Sequence, residues 1–149
     1  MLRLPRARFF WSDWIKIRRW SLALNLAVCC LFFGAAMNDC LFCKIISGEI
    51  PSKKVREDEY TFAFEDIDPK APTHVLIVPK KHLRGLKEAG YGDAEIIGRC
   101  HLMAAEIARE RKIEDSYRTV LNVGPGSGQS VFHLHVHLLG GRNLHWPPG

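Results

Sequence analysis

The chain has 149 residues, of which 47% are hydrophobic and 25% are charged. This composition is typical of one soluble globular domain, and it excludes a disordered chain, a fibrous protein and a polytopic membrane protein. The formal net charge of +5 suggests an acidic partner, but the charge is unevenly distributed along the chain.

The first 36 residues carry the excess charge. They hold six basic residues and one acidic residue, and subtracting these from the chain's 21 basic and 16 acidic residues leaves 15 of each. Because the remainder has no net charge, we expect no nucleic-acid partner. We therefore divide the chain into a leader, 1–36, and a folded domain, 37–149.

The leader has three interpretations. A basic segment followed by the uncharged run WSLALNLAVCCLFFGAA (20–36) is typical of a secretory signal or membrane anchor. An Arg-rich leader with few acids also suits a mitochondrial transit peptide, and the segment could instead be upstream sequence translated from a misplaced start. Translation from Met37 would give a cytoplasmic protein; otherwise the protein would be membrane-anchored, secreted or mitochondrial, with a membrane partner only if the leader is retained.

In chain order, the pattern predicts a short helical turn, two strands, a long helix and two further strands. Their expected ranges are 42–48, 60–66, 74–78, 93–112, 117–123 and 131–139. The long helix has one apolar stripe, formed by Ile96, Cys100, Met103 and Ile107. The order predicts an α+β fold with a mostly antiparallel sheet and helices on one side of it.

Three histidines alternate with apolar residues in the last predicted strand. His133, His135 and His137 would share one face of the strand, since alternate side chains point the same way. A single strand histidine is usually a hydrogen-bonded core residue. Three in register indicate either a metal site or a nucleophile with helper groups.

A Gly-rich loop, GPGSG (124–128), leads directly into this strand. Gly126 and Gly128 permit a positive φ, and successive N–H groups in such a turn form an anion-binding nest. Ser130 adds a hydroxyl group. Such a loop alone is usually only a hairpin turn, but in front of three histidines it indicates a phosphate held against imidazole.

At this point the chain resembles a known family. HLHVHLL matches the histidine-triad motif, and residues 40–149, 110 of the 149, are similar to the Hint branch of the histidine triad (HIT) proteins. Further matching stretches are KIISGEIPSKKV, FEDIDPKAPTHVLIVPKKH, GQSVFHLHVHLLGGR and the ending HWPPG. The third histidine argues against the related uridylyltransferases, which have Gln there.

The resemblance implies hydrolysis of nucleoside 5′-phosphoramidates, with a purine nucleotide such as AMP joined to an amine. His135 would attack phosphorus and form a nucleotidyl-histidine, and water would then release AMP. No cofactor would be required for catalysis, because N–H and imidazolium donors can stabilise the phosphoryl oxygens.

The resemblance also assigns the nucleotide contacts. His137 would contact the phosphate, as would Gly128, Gln129 and Ser130, which also line the leaving-group side. Asn122 would lie near the ribose and phosphate, and Asp66 would bind the ribose hydroxyls, with Ile67 beside it. The base pocket would consist of Phe42, Ile45, Ile50 and Leu76.

Cys40 and Cys43 form a CxxC pair, which alone is ambiguous between redox chemistry, metal binding and accident. With His74 and His133 the pair would complete a closed Cys₂His₂ set, as in many HIT proteins, and we expect structural zinc there. His82, His101 and His145 show no partner pattern.

The resemblance further predicts a homodimer in which two domains form one continuous sheet and the tail carrying Trp146 approaches the partner's site. Three alternatives stay open. They are a dinucleoside polyphosphate hydrolase of the same fold, an interaction module that depends on nucleotide or zinc, and a structural domain that binds only zinc.

Overall fold

A computed structural model describes residues 39–148. The leader and the predictions made for it lie outside this range. Within 39–148, no helix combines the length and the apolar character that crossing a membrane requires.

The domain is built on one five-stranded sheet with two helices. The elements are α1 (Leu41–Ile46), β1 (Lys54–Glu57), β2 (Thr61–Glu65), β3 (Thr73–Pro79), α2 (Ala94–Glu110), β4 (Tyr117–Val120) and β5 (Val136–Gly140). The strand order is β1-β2-β3-β5-β4, and every neighbouring pair is antiparallel. This confirms the predicted α+β class with one long helix and a short N-terminal helix.

The two helices cover opposite faces of the sheet. Ala63, Val75 and Ile77 pack with α2, whereas the alternate residues Phe64 and Leu76 pack with α1. The expectation of helices on one side is therefore wrong. β2 and β3 are apolar on both faces because both faces are covered.

The last strand is shorter than predicted. It begins at Val136 rather than at 131, because the Leu134 N–H donates to the Leu83 carbonyl in the loop after β3. Pairing with β3 then places His137 opposite Leu76. His133 and His135 therefore lie in the irregular segment that leads into the strand, where loop and side-chain contacts hold them.

Candidate functional site

The three histidine rings lie on the same side of this segment, as their alternation predicts, although His133 and His135 precede the strand. The intervening residues Leu134, Val136 and Leu138 are buried in the core on the α2 side. The His133 and His135 rings lie on the other side, where both make T-shaped contacts with the Phe42 ring in α1. The His135 and His137 ring centroids are 5.0 Å apart.

His135 has a defined tautomer. Its Nδ1 lies 2.7 Å from the His133 backbone carbonyl oxygen. Because a carbonyl oxygen only accepts, Nδ1 carries the hydrogen and donates it. The lone pair of the neutral ring is therefore on Nε2, which is the nitrogen available to attack an electrophile.

His74 and His137 form a second ordered set with Asp66, which we call the Asp–His group. The Lys70 N–H donates to His74 Nδ1 at 3.1 Å, so the His74 hydrogen is on Nε2. His74 Nε2 lies 2.9 Å from His137 Nδ1 and 3.3 Å from Asp66 Oδ2.

The contact between His74 Nε2 and His137 Nδ1, the shorter of the two, determines the tautomer of His137. If His137 Nδ1 accepts from His74, the hydrogen of the neutral His137 ring is on its Nε2. Within residues 39–148, this Nε2 is the one buried side-chain nitrogen or oxygen without a hydrogen-bond partner. Leaving such a group unpaired costs about 1–3 kcal/mol, and it calls for a ligand as its partner.

Burial keeps both histidines of the Asp–His group neutral. Desolvation lowers the pKa of His137 to about 4, and the neighbouring His135 and His74 act in the same direction. Desolvation also lowers the pKa of His74, although the Asp66 carboxylate opposes it. At neutral pH both rings are therefore single donors and single acceptors, as the hydrogen-bond chain requires.

Two cysteines and two histidines form a separate group, the Cys–His cluster: Cys40, Cys43, His82 and His133. One donor atom from each lies within 4.8 Å of the others. His133 Nδ1 is 3.4 Å from Cys40 Sγ and 3.6 Å from Cys43 Sγ, and His82 Nδ1 is 3.3 Å from Cys43 Sγ. The structure thus brings together three of the four predicted metal residues.

The fourth predicted metal residue, His74, is not in the cluster. Its ring is committed to the Asp–His group, and His82 occupies the fourth place. The sequence signal for His82 was weak, because the residue lies in the loop after β3, where no periodicity points its side chain in any direction.

The donor set of the Cys–His cluster fits a tetrahedral metal ion such as zinc. His133 Nε2 donates to the Pro79 carbonyl at 2.8 Å, which leaves the Nδ1 lone pair facing the thiols. Burial lowers the pKa of His133 to about 4 and raises the pKa of the Cys43 thiol to about 11. A bound ion would therefore find the imidazole ready to ligate, and would displace a proton from the thiol.

An apolar pocket of about 390 Å³ lies beside the histidines, large enough for a small ligand. Six of the seven residues predicted for base and ribose line it, all except Asn122: Phe42, Ile45, Ile50, Asp66, Ile67 and Leu76. Its rim also includes Lys53 and Glu65, whose roles the sequence did not indicate. Glu65 is held by Arg111 at 2.5 Å.

The Gly-rich loop forms the predicted turn, but the glycines with a positive φ and the role of Gln129 differ from the prediction. Gly124 and Gly128 have positive φ angles of 79° and 91°, whereas Gly126 does not have one. The Gln129 side chain is buried and braces the loop, donating to the Arg84 carbonyl and accepting from the Gly124 N–H. These internal bonds occupy the side chain that was predicted to line the phosphate.

Asn122 and Ser130 flank this loop. The Asn122 amide nitrogen would lie 3.7 Å from a Cβ added at Gly128, so it sits against the turn. Ser130 is exposed, with its hydroxyl group open to solvent or ligand. Both remain candidate phosphate-side residues.

Residues 47–144 match the HIT domain family. The chain belongs to the HIT family. A HIT family hydrolase from Legionella pneumophila has the same fold, with a TM-score of 0.73 and 47% identity over 74% of this chain and 100% of that one.

Two curated relatives extend the comparison. A 14 kDa zinc-binding protein from Zea mays is 52% identical over 111 residues, covering 73% of this chain and 87% of that protein. The adenylylsulfatase HINT1 of Arabidopsis thaliana is 46% identical, covering 73% of this chain and 76% of that protein. Family membership and the hydrolase class are thus confirmed.

Proposed function

We propose that this HIT hydrolase cleaves the P–N bond of nucleoside 5′-phosphoramidates, with His135 Nε2 as the nucleophile. The observation that carries the proposal is the hydrogen bond from His135 Nδ1 to the His133 carbonyl, which directs the lone pair to Nε2. A neutral imidazole is nucleophilic near pH 7, and a phosphoryl-imidazole divides one difficult hydrolysis into two easier steps.

In the first step, His135 Nε2 forms a bond to phosphorus while the P–N bond to the amine breaks. One proton from solvent joins the departing nitrogen, so that it leaves as a neutral amine. The attached imidazole carries a positive charge, which its Nδ1–H shares with the His133 carbonyl. In the second step, water attacks phosphorus, His135 leaves as neutral imidazole, and the proton returns to solvent.

The Asp–His group supports the phosphoryl oxygens in this scheme. His137 Nε2–H lacks a partner in the described part of the chain, and a phosphoryl oxygen is the acceptor that would satisfy it. A fixed donor of this kind, buried away from water, stabilises charge that develops in the transition state. The Asp66 carboxylate accepts from the Asp68 N–H and faces His74, and its remaining lone pairs can accept from ribose hydroxyls, while the pocket beside it takes a purine base.

A comparison of substrates tests the proposal. We expect kcat/KM for an AMP phosphoramidate to exceed that for a dinucleoside polyphosphate. Adenylyl sulfate is a second candidate, favoured by the likeness to the Arabidopsis adenylylsulfatase. It would use the same nucleophile with a P–O bond in place of P–N, and a higher kcat/KM on it would replace the phosphoramidate assignment.

We further propose that the Cys–His cluster binds one zinc ion, as the name of the maize relative supports. The ion would hold α1 and the approach to β5 together and would take no part in the chemical step. Metal analysis of the purified protein tests this, with Cys43→Ser expected to lose the ion and Cys100→Ala, a buried cysteine elsewhere, expected to keep it.

We also propose that the protein is a homodimer. Among residues 39–148, β4 has a neighbour on one side only, so its other edge offers unpaired backbone groups to a second copy. The exposed Trp146 lies in the tail that follows β5. Sedimentation analysis is expected to give twice the chain mass, and a Pro substitution at Thr119 in β4 is expected to give the monomer.

A further inference from the structure

His133 belongs to both the Cys–His cluster and the nucleophile's support. Its ring faces Cys40 and Cys43, while its backbone carbonyl accepts the hydrogen bond that sets the tautomer of His135. The ring is fully buried and is held at its other nitrogen by the Pro79 carbonyl. Any change that moves this ring therefore acts on a residue whose backbone orients the nucleophile.

Phe42 provides a second connection. It precedes Cys43 in α1, its ring meets both His133 and His135, and it lines the apolar pocket. The α1 helix has six residues and no side-chain cap at its N-terminus, so it is too short to be stable alone. Its position depends on packing against the sheet and on the contacts of Cys40 and Cys43.

We propose that an ion in the Cys–His cluster positions His135 and the α1 wall of the nucleotide pocket, and so strengthens nucleotide binding without touching the nucleotide. This rests on the proposed zinc site and nucleotide site. Cys40, Cys43 and His82 are then positioning residues that act through His133 and Phe42. The cluster is a structural brace and also a determinant of affinity for the nucleoside monophosphate.

The proposal makes a prediction that does not depend on turnover. If the ion strengthens AMP binding by some factor, AMP must strengthen ion binding by the same factor. We expect a factor of about ten, at the lower end of the effects seen when groups around a site are disturbed. A brace that leaves the pocket unchanged gives a factor of one.

The experiment measures, on the full chain, both the effect of zinc on AMP binding and the effect of AMP on zinc binding. AMP affinity is determined by calorimetry for zinc-loaded protein and for chelator-treated protein, and zinc affinity is determined with and without AMP. Circular dichroism at the same temperature establishes that the metal-free protein is folded. Equal AMP affinities in two folded states would overturn the proposal.

Variants localise the effect to the cluster. His82→Ala removes a ligand that contacts neither Phe42 nor His135 among the contacts described, and its matched control is His101→Ala on the exposed side of α2. We expect His82→Ala to bind AMP about tenfold more weakly whether or not zinc is added, and His101→Ala to match the parent. Normal AMP affinity in folded His82→Ala would contradict the proposal.

A conservative variant covers the case in which His82→Ala does not fold. His82→Cys retains four ligands and is expected to restore both zinc binding and the coupling with AMP. Cobalt gives an independent readout, because thiolate-to-cobalt absorption reports ligation by cysteine and not binding to the Asp–His group. Cobalt bound to His82→Cys with no gain in AMP affinity would also overturn the proposal.

The failure of this inference is distinguishable from failure of the proposed function. A covalent nucleotide adduct on the loaded parent supports the function whatever the coupling factor is. Reciprocal coupling without an adduct would keep the positioning role and remove the phosphoramidase. An adduct together with a coupling factor of one would support the phosphoramidase and rule out the positioning role of the ion.

Discussion

The Cys–His cluster and the Asp–His group lie beside the same strands but use their histidines differently. In the cluster, both nitrogens of the His133 ring face protein groups, and the donors converge on one another. In the Asp–His group, a chain of hydrogen bonds from the Lys70 N–H through His74 ends at His137 Nε2, for which residues 39–148 provide no partner. The first arrangement is closed and suits a structural ion, whereas the second leaves one donor for a ligand.

Between them lies His135, which is tied to the cluster through the His133 carbonyl and touches the ring of His137. The comparison shows that the presence of histidines in a group does not by itself determine what the group does. The role follows from where each ring nitrogen finds its partner. The predictions below test this division, starting with the largest expected effect.

Within the Asp–His group, removing the open donor is expected to have the largest effect. His137→Ala should lower the single-turnover rate of amine release by about 10²–10³-fold, as does loss of one donor to a developing oxyanion. The melting temperature should fall somewhat, because the substitution also removes the Nδ1 that accepts from His74, so the rate is compared at a temperature at which the variant is folded. Rapid-quench measurement against His101→Ala checks this, and a loss below fivefold would show that His137 does not act in the open site.

Removing the residue behind that donor should have a smaller effect. His74→Ala deletes the group that sets the tautomer of His137, and we expect a loss of about 10–100-fold in kcat with little change in KM. Combined with His137→Ala, it should cost little more, because the two residues act as one unit. Full additivity in the double variant would mean that the two histidines act separately.

Asp66 tests the ribose side of the group. Asp66→Asn should raise KM about tenfold, the loss expected for hydrogen bonds to a charged group. A substrate that lacks both ribose hydroxyls should lose the same factor with the parent protein but nothing further with the variant. An equal loss on both proteins would place the ribose elsewhere.

The smallest effect concerns stability and pH. Because burial lowers the pKa of His74 and His137 below the ordinary 6.5, the unfolded chain binds more protons than the folded one below that value. Their contribution is complete above about pH 6.5 and is lost as the pH falls toward the folded pKa, about 4 for His137. Urea denaturation at pH 7.5 and 5 should show this loss, and His137→Gln should reduce it.

Much of the fold follows from patterns that the sequence displays openly. The apolar runs of β2 and β3 and the apolar stripe of α2 predict these three elements, and each predicted boundary lies within two residues of the observed one. β1 was missed because its residues, KVRE, are mostly polar and lie at the sheet edge. The face of the sheet on which α1 packs was also missed. Strands that are apolar on both faces do not indicate which helix covers which face.

The sequence predicts those site residues that belong to a recognisable motif. The triad was identified from the alternation of its residues, whereas the individual roles of its histidines, Asp66 and the pocket residues were identified by resemblance. The exchange of His74 for His82 in the cluster was not predictable, because it depends on where a loop turns after Pro79. The bracing role of Gln129 likewise depends on Arg84 and Gly124, which are brought to it only by folding.

The central claim is that His135 is the nucleophile, and trapping its adduct tests this most directly. The parent chain and His135→Ala are each mixed with an AMP phosphoramidate and quenched early, and intact mass and released amine are recorded. We predict a mass increase of one adenylyl group on the parent only, located at residue 135, with turnover lost in the variant. Equal turnover in both proteins with no adduct in either would contradict the claim.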